Sequence, residues 1–165
     1  MSDVAPVVVN SGPIIALFAV GAQAILGQLF GTVLVPGAVY AEVCGFGEER
    51  PGAKELRDAD WACRVDLDSP PEPLLAEELG AGEAEAITLA SRRGARLLLL
   101  DDRRARRMAE IVYDLRLKGT AGLLVLAKQR GLLAAIGPLV MQMRGKGYFL
   151  SSALIERACR EAGEG

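Results

Sequence analysis

Short β-branched and leucine runs alternate along this chain with longer stretches of helical apolar spacing. Val7, Val8 and Val9 form the first run, closed by the turn-like Asn10-Ser11-Gly12-Pro13. The pattern predicts a buried strand that passes at once into a helix, with Ser11 as N-cap and Pro13 in the first turn. Apolar positions recur at helical spacing over 14–30, with an interruption near Gly21. Val33, Leu34 and Val35 make a second strand-like run, stopped by Pro36, which opens a predicted helix over 36–43. Residues 45–55 are polar and glycine-rich, a loop leading into a short helix that reaches Asp58.

The stretch 61–67 reads as a strand at a sheet edge, and Ser69-Pro70-Pro71-Glu72-Pro73 as a connector inside one domain spanning 1–165. A helix rich in Ala, Glu and Leu is expected over 79–93. Leu97 to Leu100 are four leucines between charged flanks. Periodicity alone leaves helix and strand open there, but the short length and the helices on either side favour a buried parallel strand. Further helices are expected over 102–111, 120–128, 132–144 and 151–161, with a last strand at 115–117. Strand and helix in alternation predict a three-layer α/β fold with a mostly parallel central sheet flanked by helices. Ligands in such sheets bind beyond the carboxyl ends of strands, near the topological switch point. Two places qualify: Asn10-Ser11 after the first strand, and Asp101-Asp102 after the leucine strand.

Composition narrows the chemistry. The net charge is −2, so no strongly basic nucleic-acid footprint covers the whole chain, and any such binding must come from local clusters. Histidine is absent, which removes Ser-His-Asp and Cys-His devices. Cys44, Cys63 and Cys159 are far apart and form no CxxC pair, so a Cys/His zinc site is not expected. They read as reduced, mostly buried thiols of a cytoplasmic protein. The apolar N-terminal stretch is broken by Asn10, Pro13, Gln23 and Gln28, and no membrane association is expected. Enzymatic work near neutral pH would rest on carboxylates, lysine, tyrosine or a metal.

Five groups of residues could carry such chemistry. Asp101 and Asp102 follow the leucine strand, where adjacent carboxylates need solvent, a partner or a metal; either could instead cap the next helix. Glu83 and Glu85 begin the 79–93 helix about 200° apart, so they cannot both face one partner, and both could simply complement the helix dipole. Glu42 lies on a mostly apolar helix, facing solvent or a cleft. Asn10 offers a side-chain oxygen at the switch point or forms a turn. Arg103, Arg106 and Arg107 make a positive helix edge beside the acids, able to position phosphates or to sit solvated.

In order, these segments resemble the PIN-domain superfamily, and within it a prokaryotic branch of small PIN-like proteins of unknown function. The matching segments are VVVNSGPIIAL (7–17), LFGTVLVPGAVYAEV (29–43), GEAEAITLA (82–90), LLLLDDRRARRMAE (97–110), GTAGLLVLAKQRGLL (119–133) and YFLSSALIERACREAGE (148–164). The resemblance covers about residues 6 to 163. It implies a metal-dependent nuclease site of three or four acids. Asn10 stands where PIN proteins usually have the first aspartate, a departure that removes one unit of metal-attracting charge. Glu42 stands at the second acid. Glu83 stands at the third, seven residues before Ala90, with Glu85 as the competing choice. Asp102 matches the last acid, with Asp101 beside it.

The activity so implied is endoribonuclease cleavage with Mg²⁺ or Mn²⁺ held by Asp102, Glu42 and Glu83, Asn10 adding its amide oxygen. Arg103, Arg106 and Arg107 would hold RNA, and the Thr120 hydroxyl could reach the site. Similarity to VapC-type toxins of toxin–antitoxin pairs implies an antitoxin protein partner and a homodimer. The alternative is a catalytically degenerate PIN fold acting as a binding or regulatory module. A receiver-like phospho-acceptor is disfavoured, because its acid pair follows the first strand whereas Asp101-Asp102 comes late.

Overall fold

The valine triplet and the leucine run become neighbouring strands at the centre of one sheet. A computed structural model describes residues 4–45 and 52–165. Among these residues the strands are β1 (Val7–Val9), β2 (Val33–Pro36), β3 (Ala62–Val65), β4 (Leu97–Leu99) and β5 (Leu117–Lys118). They lie in the order β3-β2-β1-β4-β5, and every pairing is parallel. The register sets Val7, Val8 and Val9 beside Leu97, Leu98 and Leu99.

The helices among the described residues are α1 (Ser11–Ala19), α2 (Ala24–Phe30), α3 (Gly37–Cys44), α4 (Ala53–Arg57), α5 (Pro73–Glu78), α6 (Ala81–Arg92), α7 (Arg103–Ile111), α8 (Thr120–Gln129), α9 (Gly137–Gly145) and α10 (Ser152–Glu161). Side chains alternate across the sheet, as strand geometry requires. Val7, Val9, Val33, Val35 and Leu99 pack on one face with α1, α2, α8, α9 and α10. Val8, Leu98 and Leu100 pack on the other with α5, α6 and α7. The fold is therefore the three-layer α/β arrangement read from the sequence. Each fully buried leucine or valine contributes about 1.5–3 kcal/mol relative to exposure.

Several boundaries differ from expectation. Asn10, not Ser11, is the N-cap of α1, with extended backbone and no side-chain cap bond. Pro36 ends β2 and caps α3 instead of opening it. The helix expected over 132–144 begins only at Gly137, with Pro138 in its first turn. Proline lacks the N–H and clashes with the preceding turn, so it cannot stand inside a helix there. The segment before α6 folds into the separate α5, which the sequence reading did not anticipate. β5 forms one to two residues later than predicted. Much of the expected 45–55 loop lies outside the described residues. The cysteines are free thiols but less buried than expected: Cys63 is exposed on edge strand β3, and Cys44 and Cys159 are half-buried.

Candidate active site at the switch point

The chain runs outward from β1 through β2 to β3, then returns to place β4 on the other side of β1. That reversal opens a crevice at the carboxyl ends of β1 and β4. Asn10 leaves β1 there, its backbone N–H donating to Leu99 O at 2.9 Å. Its side chain is only 5% exposed, and Oδ1 is buried without a hydrogen-bond partner. A buried acceptor left unsatisfied costs about 1–3 kcal/mol, so this oxygen is an unsatisfied acceptor at the crevice floor.

Glu42 arrives from α3, which packs against α6 and α1. Its Oε2 accepts from Ser11 Oγ at 2.7 Å. Its Oε1 accepts from the backbone N–H of Gly82 at 3.1 Å, inside the first turn of α6. A free N–H at a helix start is the place where a carboxylate gains from both the bond and the dipole. The absence of a side chain at Gly82 leaves room for this approach: a Cβ there would press on the Glu42 carboxylate and displace it. Glu83 follows, its Oε2 accepting from Gly80 N at 3.0 Å. Burial raises the Glu83 carboxyl above its ordinary range; the Gly80 bond opposes this, and the negative charges of Asp102 and Glu42 add to it. Glu83 therefore feels the charges of both other acids. Glu85 does not join them. It projects from another side of α6, where its Oε1 accepts from Ala38 N at 2.9 Å.

The two aspartates after β4 diverge. Asp102 is the N-cap of α7, its Oδ2 accepting from Ala105 N at 2.9 Å. Capping and a place in the crevice are thus compatible, not alternatives. Asp101 turns to the other layer. Its Oδ1 accepts from Thr120 N at 2.7 Å and its Oδ2 from Thr120 Oγ1 at 2.5 Å. Tyr148 Oη donates to the same Oδ2. Burial and the Asp101 charge push the Tyr148 hydroxyl well above its ordinary range, so it remains a donor. The Thr120 hydroxyl is thereby spent on Asp101.

A cleft of about 900 Å³ opens over this crevice, lined among others by Asn10, Ser11, Glu83, Asp102, Arg103 and Arg107. Arg106 also lines it, but its Nη1 is tied to Leu100 O at 2.7 Å. Arg103 and Arg107 are exposed. Three neighbouring arginines are occupied elsewhere: Arg104 pairs with Glu78, Arg92 donates to Ser69 and Pro70 carbonyls, and Arg96 to Ala5 O. The C-terminal wall, Tyr148 to Ser151, belongs to a segment that carries the family resemblance but supplied no candidate site residue. A tyrosine and a phenylalanine 46 to 48 residues beyond the aspartates carry no local signal of their destination.

The donor set suits a hard divalent cation, which takes oxygen ligands from carboxylates and amides. The orphaned Asn10 oxygen and the mutual repulsion around Glu83 are both relieved by positive charge. Among the described residues, however, no three Asp, Glu, Cys or His side chains form a ready-made cage. A Mg²⁺ site needs only one or two direct carboxylates, with water completing the octahedron, so the residues fit that kind of ion.

A family model described as a PIN domain matches residues 6–164. No curated protein and no solved structure matches the chain.

Proposed function

The chain belongs to the PIN-domain family, and on that premise we propose that it is a divalent-metal-dependent endoribonuclease. The observation that carries this reading is the convergence of Asn10, Glu83 and Asp102 with Arg103 and Arg107 on one cleft at the β1/β4 switch point. The PIN fold is a nuclease fold. Asp102, Glu83 and Glu42 are the residues that would hold Mg²⁺ or Mn²⁺, with Asn10 supplying an uncharged oxygen. Such an ion supplies an activated water at neutral pH and stabilises charge on the phosphoryl oxygens. The protein's own part is positional. Gly82 N–H and Ser11 Oγ aim Glu42, Gly80 N–H aims Glu83, and the first turn of α7 aims Asp102. Arg103 and Arg107 hold the RNA backbone beside them.

Asp101 and Glu85, counted among the candidate ligands, serve in this reading as supports. Asp101 ties α8 and Tyr148 to the strand end, and Glu85 caps α3. The toxin role, with an antitoxin partner, a homodimer and a cytoplasmic setting, belongs to the same proposal. Among the described residues no helix is long and apolar enough to cross a membrane.

Asn10 in place of an acid supports a second reading, a binding module that has lost cleavage. Incubating the full chain with labelled RNAs, with Mn²⁺ or with EDTA, separates the two. Cleavage with Mn²⁺, abolished by EDTA and reduced at least ~10–100-fold in Asp102→Asn, is the expected result. Cleavage that survives EDTA sinks the metal site. RNA bound but never cut, with no Mn²⁺ uptake by calorimetry, selects the binding module.

A further inference from the structure

Phe149 is 85% exposed. Of the large apolar side chains exposed among the described residues, it is the only aromatic and the only one in the lining of the cleft. Single exposed apolar residues are ordinary, but this one is held in place on both sides. Tyr148 before it bonds Asp101 through its hydroxyl and Met143 O through its backbone at 3.0 Å. Leu150 after it is 3% exposed. Ser151 then caps α10, its Oγ accepting from Leu154 N at 3.1 Å. Gly147, at φ 92°, makes the left-handed turn that lets the chain enter this segment. The backbone carrying the ring is therefore anchored while the ring itself stays in water.

We propose that Phe149 is a stacking platform for an unpaired base of a single-stranded RNA lying in the cleft. The proposal rests on the ribonuclease reading and adds how its substrate is gripped. Electrostatics alone is a weak grip here: the net charge is −2, and Glu83, Asp102 and Glu110 share the cleft with the arginines. Few phosphates can be neutralised, so affinity must come partly from the bases. An aromatic face supplies that without sequence preference, because every base has a π-face. Phenylalanine loses only two side-chain torsions on stacking, and an anchored backbone lowers the ordering cost further. A base in a duplex is already stacked on its neighbours, so the platform selects single strands.

The test measures binding of the full chain, in EDTA to prevent cleavage, to a labelled mixed-sequence single-stranded RNA and to inorganic polyphosphate, which has no bases. Phe149→Ala is expected to weaken RNA binding about 5- to 100-fold. Polyphosphate binding and the salt dependence of RNA binding stay unchanged, and Phe149→Trp restores affinity. Equal RNA affinity in Phe149→Ala overturns the proposal. So does an equal loss for RNA and polyphosphate, which marks a rearranged wall. A dimer that becomes a monomer with RNA affinity intact also overturns it, assigning the ring to a protein contact. Mn²⁺-dependent cleavage by the unaltered protein is scored separately. Binding that needs Phe149 without any cleavage removes the nuclease and leaves the platform; cleavage with binding indifferent to Phe149 does the reverse.

Discussion

At the residue scale, Glu83 shows that the site opposes the fold that carries it. Its carboxyl titrates above the ordinary 4.5, first because it is buried and then because Asp102 and Glu42 are negative. A raised folded-state value means that protonated Glu83 favours folding. That contribution is complete below about 4.5 and is lost as pH rises through the folded value. At neutral pH the ionised carboxylate therefore works against stability. Glu83→Gln keeps an oxygen for the Gly80 N–H and removes the charge. Thermal melts without metal should show a higher Tm for the variant at pH 7 and a smaller advantage at pH 4, with cleavage reduced. A Tm advantage that grew on acidification would contradict the charge cluster. Asn10 belongs to the same balance: an amide at that floor spares the ion-free fold a fourth negative charge.

At the element scale, the first turn of α6 organises the acids. The Gly82 N–H holds Glu42 of α3, and Glu83 folds back on Gly80 N. Two free N–H groups of one helix start thus orient carboxylates from two elements. Gly82→Ala puts a methyl against Glu42, which must swing away. Alanine favours a helix over glycine by up to about 1 kcal/mol, so the fold should stay as stable or gain. Loss of a carboxylate's supporting donor costs ~10–100-fold in metal affinity or activity. Mn²⁺ titration and cleavage assays on Gly82→Ala should show that loss with a denaturation midpoint that is unchanged or higher. Undiminished cleavage would remove Glu42 from the site.

At the scale of the whole molecule, the C-terminal residues close the layer that backs the cleft. Glu164 accepts from Lys128 Nζ at 2.8 Å, from Ile136 N at 2.8 Å and from Gly137 N at 3.0 Å. It thereby ties the chain end to α8 and to the start of α9. These donors, the lysine first, hold its carboxyl down to about 2. A depressed value contributes stability above the unfolded 4.5 and loses it as pH falls through about 2. Urea denaturation of the unaltered chain and Glu164→Gln should therefore differ at pH 7 and converge near pH 2. A gap that persisted at pH 2 would show that the carboxylate's charge is not what holds the end.

The sequence by itself determined the layer architecture, because its information is local. Runs of valine and leucine three or four residues long, set between helical periods, admit few arrangements other than a mostly parallel sheet. It also marked the two strand ends where Asn10 and Asp102 emerge, since strand termination and helix capping are written in neighbouring residues. What it left open was direction. Asp101 against Asp102 and Glu83 against Glu85 differ by one or two positions, and which side chain enters the cleft depends on the partners across the molecule. Thr120 and Tyr148 engage both oxygens of Asp101 at the cleft wall, and Ala38 draws Glu85 away. The wall bearing Phe149 was invisible for the same reason. Its place in the cleft lining follows from the return of α10 against α8 and α9, a packing of distant segments that no local pattern encodes.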